Sequence, residues 1–371
     1  MGSLINLISF NFHSSADPAF SPRPTQICHQ GQRGVGTIRL TSLLFSTWIL
    51  VNFSAIVNVA YGADSNDARH EIFASSSFWY SQLPLDGPLH PHSEAFTLDF
   101  IRQYRKFYGN VAINTDKYTS PIYVIANNVE TTSVTQWDCQ NKGFKDQQLE
   151  QQWRAVPIPP SAEPADGADS EMTIYQPSTD TMWEFWQARK GNGRWEACWG
   201  GRMPNVSKSN GIWPRPYGTT ATGLPFLGGE IRAEELTRGA INHVIGIALV
   251  ETAGNDIHSW PANRSDGYNP SNLPNRIPEG LRFRLDPTVD IDALGMHPVG
   301  RIVAKAAQTY GFVVWDKAGA ISLRAENPKS FTTTGLPNPY PAIWNGTPTY
   351  EVLRGFPWER LQFLPMNYGR P

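Results

Sequence analysis

Three closely spaced segments of alternating apolar and polar residues constrain most strongly what this chain can fold into. EMTIYQ, TMWEFWQA and RWEACWG lie within residues 171–200, parted by Pro177-Ser178-Thr179-Asp180 and Lys190-Gly191-Asn192-Gly193. Period-two alternation bounded by turn-forming residues predicts strands, and the short spacing predicts a three-stranded meander. With Met172, Ile174, Trp183 and Phe185 turned to a core, Glu171, Thr173, Tyr175, Glu184 and Trp186 share the opposite face. Further strands are expected at 242–250 (NHVIGIALV) and 281–286 (LRFRLD). GFVVWD and AISLRA, either side of Lys317-Ala318-Gly319, predict a hairpin.

Helical periodicity interrupts this pattern twice. SEAFTLDFIRQYRKFY (93–108) sets Phe96, Phe100, Tyr104 and Phe107 on one face, with Ser93 as the expected N-cap and Gly109 as the stop. PVGRIVAKAAQTYG (298–311) does the same with Val299, Ile302, Val303, Ala306 and Tyr310. The tail from Phe331, rich in Pro, Trp and Tyr, is expected to wrap the domain in extended form. A content of 13 Trp and 30 Pro suits a β-rich fold with long ordered loops. The expected fold is therefore mainly β: a jelly-roll or lectin-like β-sandwich with a few helical insertions, forming one domain over 64–371.

Residues 1–63 read as a separate piece. Arg23, Arg33 and Arg39 stand against the single acid Asp17, and an uncharged apolar run, LLFSTWILVNFSAIVNVA, ends in Tyr61-Gly62-Ala63. Basic flank, apolar run and small residues in that order mark a secretory signal, cleaved after Gly62 or Ala63 or kept as a signal anchor. Both point to a secreted or cell-envelope protein that meets a membrane only through an uncleaved leader. Removal of the leader takes Cys28 with it and leaves Cys139 and Cys198, which read as one disulfide or as two buried thiols. With 31 Lys and Arg against 33 Asp and Glu, no basic field invites nucleic acid.

The predicted meander face mixes rings with carboxylates, the combination a sugar-binding groove needs. Rings stack on the C–H faces of pyranosides while carboxylates accept hydroxyl hydrogen bonds or move protons. Glu184 and Asp169 form the first catalytic pair to consider, with His243 in support. Trp186, Tyr175 and Glu171 would line the groove, and Arg282 and Arg284, on one face of their strand, could neutralise a uronate. The leading expectation is a glycoside hydrolase acting on an extracellular polysaccharide or oligosaccharide. The alternatives are a polysaccharide lyase using His243 and Tyr175, or a noncatalytic glycan-binding or surface-assembly protein. No cofactor is implied and no Cys/His zinc set is present. The loops Asp166–Glu171 and Asp266–Asn269 lack EF-hand spacing and read as turns.

TGLPFLGGEIRAEELTRGAINH, WPANRSDG, SDGYN, IPEGLRFRLDP and AAQTYGFVVWDKAG, taken together, resemble a group of secreted, mainly bacterial proteins over roughly residues 75–325. That resemblance implies export and a shared fold, and carries over no catalytic residue, because the group has no established activity. GxSxG, P-loop, HExxH and Rossmann glycine signatures are all absent. The ExDxxE strand of laminarinase-type sandwich hydrolases is absent too.

Overall fold

The computed structural model describes residues 71–126 and 129–371; the expected leader and its cleavage point lie outside them. Thirteen strands occur among the described residues: β1 (Ala112–Asn114), β2 (Ile122–Val124), β3 (Val134–Gln136), β4 (Met172–Gln176), β5 (Thr181–Trp186), β6 (Arg189–Gly191), β7 (Arg194–Ala197), β8 (Trp199–Pro204), β9 (Ile245–Leu249), β10 (Arg282–Leu285), β11 (Phe312–Lys317), β12 (Ser322–Arg324) and β13 (Leu361–Phe363). They form a six-stranded sheet ordered β1-β12-β9-β11-β10-β13, a four-stranded sheet β2-β4-β5-β8 and a three-stranded sheet β3-β7-β6. The fold is thus sheet-rich and open. Four pairs are parallel (β1 with β12, β9 with β11, β2 with β4, β3 with β7), whereas a jelly roll is built from antiparallel pairs.

Burial explains the layering. One face of the six-stranded sheet, carrying Ile245, Ile247, Phe283, Phe312 and Val314, packs on the helices Ser93–Lys106 and Pro298–Thr309 through Phe96, Phe100, Val299 and Val303. Its other face, with Val313 and Trp315, meets Ile122, Tyr175 and Met182 of the four-stranded sheet. The far side of that second sheet, with Met172, Ile174, Trp183 and Phe185, closes on Trp153, Leu149 and Trp195.

The register of the central hairpin is as the alternation predicts: Met172 faces Phe185, Thr173 faces Glu184 and Ile174 faces Trp183 across β4 and β5. The third segment divides. Its first half, β7, pairs with β6 and β3, and its second half, β8, completes the sheet beside β5. Cys198 sits at the break, bridged to Cys139 with Cα atoms 5.6 Å apart, inside the normal disulfide range. Gly200, at φ +153°, is required just beyond it, since a Cβ there would lie 2.0 Å from the Glu184 carbonyl oxygen.

Three other expectations need correction. The β11–β12 hairpin does not form, because the wholly buried strand β9 inserts between them, parallel to β11 and antiparallel to β12. An apolar strand such as Ile-Gly-Ile-Ala-Leu needs both edges filled, and two flanking partners satisfy it. Ser93 is the first helical residue rather than the cap; its hydroxyl accepts from Phe363 N–H at 2.8 Å. The tail is not simply extended. It folds into short helices at Lys329–Thr332 and Tyr340–Trp344, then adds β13 to the sheet edge beside β10. No helix among the described residues is long and apolar enough to cross a membrane.

Candidate functional site

Both faces of the β4–β5 hairpin are covered, so the open groove expected there does not exist. Glu184 points away from Trp183 and Phe185 as predicted, but into a second apolar layer where it has no exposed surface. The segment 213–227 closes over it: Trp213 Nε1 donates at 3.1 Å, Thr219 Oγ1 at 2.9 Å and Leu227 N–H at 3.2 Å. Burial raises the carboxyl to about 7 against these three stabilising donors. A polysaccharide has no path to that carboxyl in this arrangement. Tyr175, half-buried on the same face, packs into the same layer.

The other expected participants do not gather around Glu184 either. His243 is buried, with Nε2 3.1 Å from Glu235 Oε2 and Nδ1 2.8 Å from the Val244 carbonyl. Burial pulls its pKa down, but the Glu235 carboxylate and these hydrogen bonds raise it overall. Arg282 donates to the carbonyls of Ser81 and Tyr310, and Arg284 to those of Pro84 and Leu85 and to Gln362 Oε1. Both are 2% exposed, and they secure the segment 81–85 instead of facing a substrate. The acidic loop 166–171 sends its carboxylates to separate partners: Asp166 to Lys329, Asp169 to Trp186 and Glu171 to Arg324. No group of three His, Cys, Asp or Glu suited to a metal ion occurs among the described residues.

A different constellation gathers where the two larger sheets meet, around Arg324 on β12. Its guanidinium lies 2.9 Å from Glu171 Oε1 and 3.6 Å from Asp316 Oδ2, and 4.8 Å over the ring of Phe226. Asp316 is aimed there by a bulge in β11. Val314 pairs with Ile247 and Asp316 with the next residue, Ala248, leaving Trp315 as the inserted residue. Room for its indole exists only because Gly246 lacks a side chain, since a Cβ there would sit 2.3 Å from the ring.

Burial raises both acids beside Arg324 to about 7. For Glu171, 1% exposed, Arg324 opposes that rise and Asp169 and Asp316 reinforce it. For Asp316, Arg324 opposes while Asp266 and Asp169 reinforce. Behind them, burial and the Asp266 carboxylate hold Glu279 well above the ordinary range, and Lys317 Nζ pairs with Asp266 Oδ2 at 3.0 Å. Glu230, held by Thr119 and by Ser120 N–H at 2.7 Å, is lifted by burial to about 8.

The cluster is not sealed. The Asp316 side chain keeps 18% of its surface, and Asp169, half-buried, accepts from Trp186 Nε1 at 3.0 Å. Ser170 (φ +38°) and Gln187 (φ +51°), on the two strands of chain that meet at Asp169, hold left-handed backbone that disfavours non-glycine residues. Of the residues expected from sequence, the structure brings Asp169, Glu171 and Trp186 together here and places Glu184, His243, Tyr175, Arg282 and Arg284 elsewhere.

Arg324 and Glu279 escaped selection from the sequence, and nothing in it grouped them with Asp316 and Asp266. A local signal existed for two of them: Arg324 sits between Leu323 and Ala325, and Asp316 ends the apolar run 312–315. A charge inside an apolar strand marks a buried partner.

Comparisons with protein-family models, with curated proteins and with solved structures find no match.

Proposed function

We propose that the protein is an exported carbohydrate-active enzyme, most simply a glycoside hydrolase, whose acid–base site is the Arg324 cluster. The observation that carries this reading is the pair of carboxyls raised to about 7 on either side of one fixed guanidinium, with Asp316 still reaching solvent. Asp316, partly protonated near neutral pH, serves as general acid. Asp169, steadied by the Trp186 indole N–H, serves as the second carboxylate. Arg324, itself held by Glu171, positions Asp316 and opposes the rise that burial imposes on its carboxyl.

The Cys139–Cys198 bridge supports export, because disulfides persist in oxidising compartments. The lyase alternative has less support, since its base His243 is spent on Glu235.

The test is incubation of purified protein with a panel of plant, fungal and bacterial polysaccharides, read for reducing ends and for unsaturated products. New reducing ends without unsaturation, lost in a folded Asp316→Asn variant, are the expected result. Unsaturated products, or undiminished turnover by Asp316→Asn, would overturn it.

A further inference from the structure

A second feature lies along the surface from Asp169, where the disulfide pins the loop 137–146. A pocket of about 50 Å³ opens there, walled by Trp137, Phe144 and Trp199 and floored by the Cys139–Cys198 bridge. Phe144 keeps 59% of its surface, so its ring is available at the mouth of the pocket. The loop that presents it is not loose. The Asp138 carboxylate accepts from Lys142 N–H at 2.8 Å and Gly143 N–H at 2.7 Å, closing the turn just before Phe144. Trp199 is backed by Tyr217, with ring centroids 6.0 Å apart and nearly parallel, and Lys142 Nζ lies 5.9 Å from its ring.

Hydrogen bonds tie this pocket to the acid cluster. Trp137 Nε1 donates to the Gln187 carbonyl at 3.1 Å, and Gln187 N–H donates to the Asp169 carbonyl at 2.6 Å. Cys198 N–H likewise donates at 3.0 Å to the carbonyl of Trp186, whose indole holds the Asp169 carboxylate.

We propose that this pocket is a saccharide-binding subsite that takes one pyranose ring of a neutral oligosaccharide. The pocket has room for one or two waters, hence for the hydroxyl-bearing edge of a sugar ring rather than the whole of it. The apolar C–H face then rests on Phe144 and meets the edge of Trp199, while Asp138 and Lys142 meet hydroxyls at the rim. A peptide or lipid chain fits less well, since the lining mixes rings with two acids, an amine and two amides. The subsite rests on and deepens the hydrolase reading by adding a ring-binding position linked to Asp169 through Trp137 and Gln187, and its binding is measurable apart from turnover.

The experiment titrates the oxidised full chain with cellohexaose, xylohexaose and laminarihexaose, followed by tryptophan fluorescence and calorimetry. Saturable binding of at least one is expected, weakened about tenfold or more by Phe144→Ala. Phe144 is exposed, so that variant keeps its fold. A Cys139→Ser/Cys198→Ser variant, freed of the bridge that floors the pocket, should also bind more weakly. Absence of saturable binding by all three, or an unchanged Kd in Phe144→Ala, overturns the subsite. If binding fails while turnover still depends on Asp316, only the subsite falls; if Phe144 governs binding while Asp316→Asn turns over normally, only the acid–base assignment falls.

Discussion

Glu184 lies on β5 and Glu171 just ahead of the neighbouring strand β4, and burial raises both to about 7, yet their surroundings differ in kind. Glu184 is met by an indole N–H, a hydroxyl and a backbone N–H, all neutral, inside a layer closed on every side. Glu171 is met by the Arg324 guanidinium, with Asp316 on its other flank and solvent within reach of that acid. A perturbed pKa is therefore not a mark of chemistry by itself. It becomes one where the proton has somewhere to go and where neighbouring charges respond when it leaves. Glu184 fills a structural position; the Arg324 cluster has the charge coupling that acid–base work requires.

The sharpest way to break this comparison is to neutralise one acid from each region. Asp316→Asn should lower turnover by roughly a hundred- to ten-thousand-fold, the usual span for loss of a general acid, while Glu184→Gln should leave turnover within a few-fold. Equal losses in the two folded variants would erase the distinction.

Charge removal comes next in size. Arg324→Met strands Glu171 and Asp316 in a buried site without their cation, and should cost about 3–5 kcal/mol in denaturant unfolding at neutral pH. Arg189→Ala, which breaks a surface pair with Glu196 at 2.8 Å, should cost no more than about 1 kcal/mol. A comparable loss from both would mean that the Arg324 pairs are not desolvated.

The bridge at the edge of the candidate subsite sits between these extremes. Replacing Cys139 and Cys198 by Ser releases a crosslink between residues 59 apart and should cost about 2–4 kcal/mol. Turnover of short substrates that do not reach the subsite should survive, which separates stabilisation from catalysis.

Much of this architecture was legible in local pattern. The β4–β5 register and the helices near 93 and 298 follow from periodicities of two and 3.6, which each segment carries within itself. The parity of Glu184 was right and its exposure wrong for one reason. Alternation assigns a face, but only long-range contacts say what covers that face, and here it is the segment 213–227. The failed β11–β12 hairpin is the same lesson, since insertion of β9 is a nonlocal event that no turn sequence reveals. Asp169, Glu171, Asp266, Glu279, Asp316 and Arg324 are spread over more than 150 residues, and their convergence depends on the meeting of two sheets. Arg282 and Arg284 show the converse: alternation put them on one face, but the carbonyls that occupy them come from residues 81–85 and 310.

The smallest expected effect tests the Glu184 half of the comparison through pH. Its carboxyl titrates near 4.5 when unfolded and at about 7 when folded, so the folded state holds the proton more tightly. Between those values the native protein binds more protons than the unfolded chain, and stability must fall as pH rises. The contribution is whole below about 4.5, declines through the window and is fully lost above about 7, a total of about 3 kcal/mol for this one group. Glutamine cannot titrate, and its amide presents donors where Trp213 and Thr219 already donate. Glu184→Gln should therefore be destabilising by about 1 kcal/mol at pH 5, where the acid is neutral and well accommodated. At pH 8 the wild-type carboxylate bears its full desolvation cost, and the variant should equal or exceed it in stability. Unfolding free energies of the two proteins at pH 5 and pH 8 decide the matter. A difference that does not change with pH would mean that Glu184 is ionised in the fold throughout, with a cation or water supporting it, and the contrast with Glu171 would collapse.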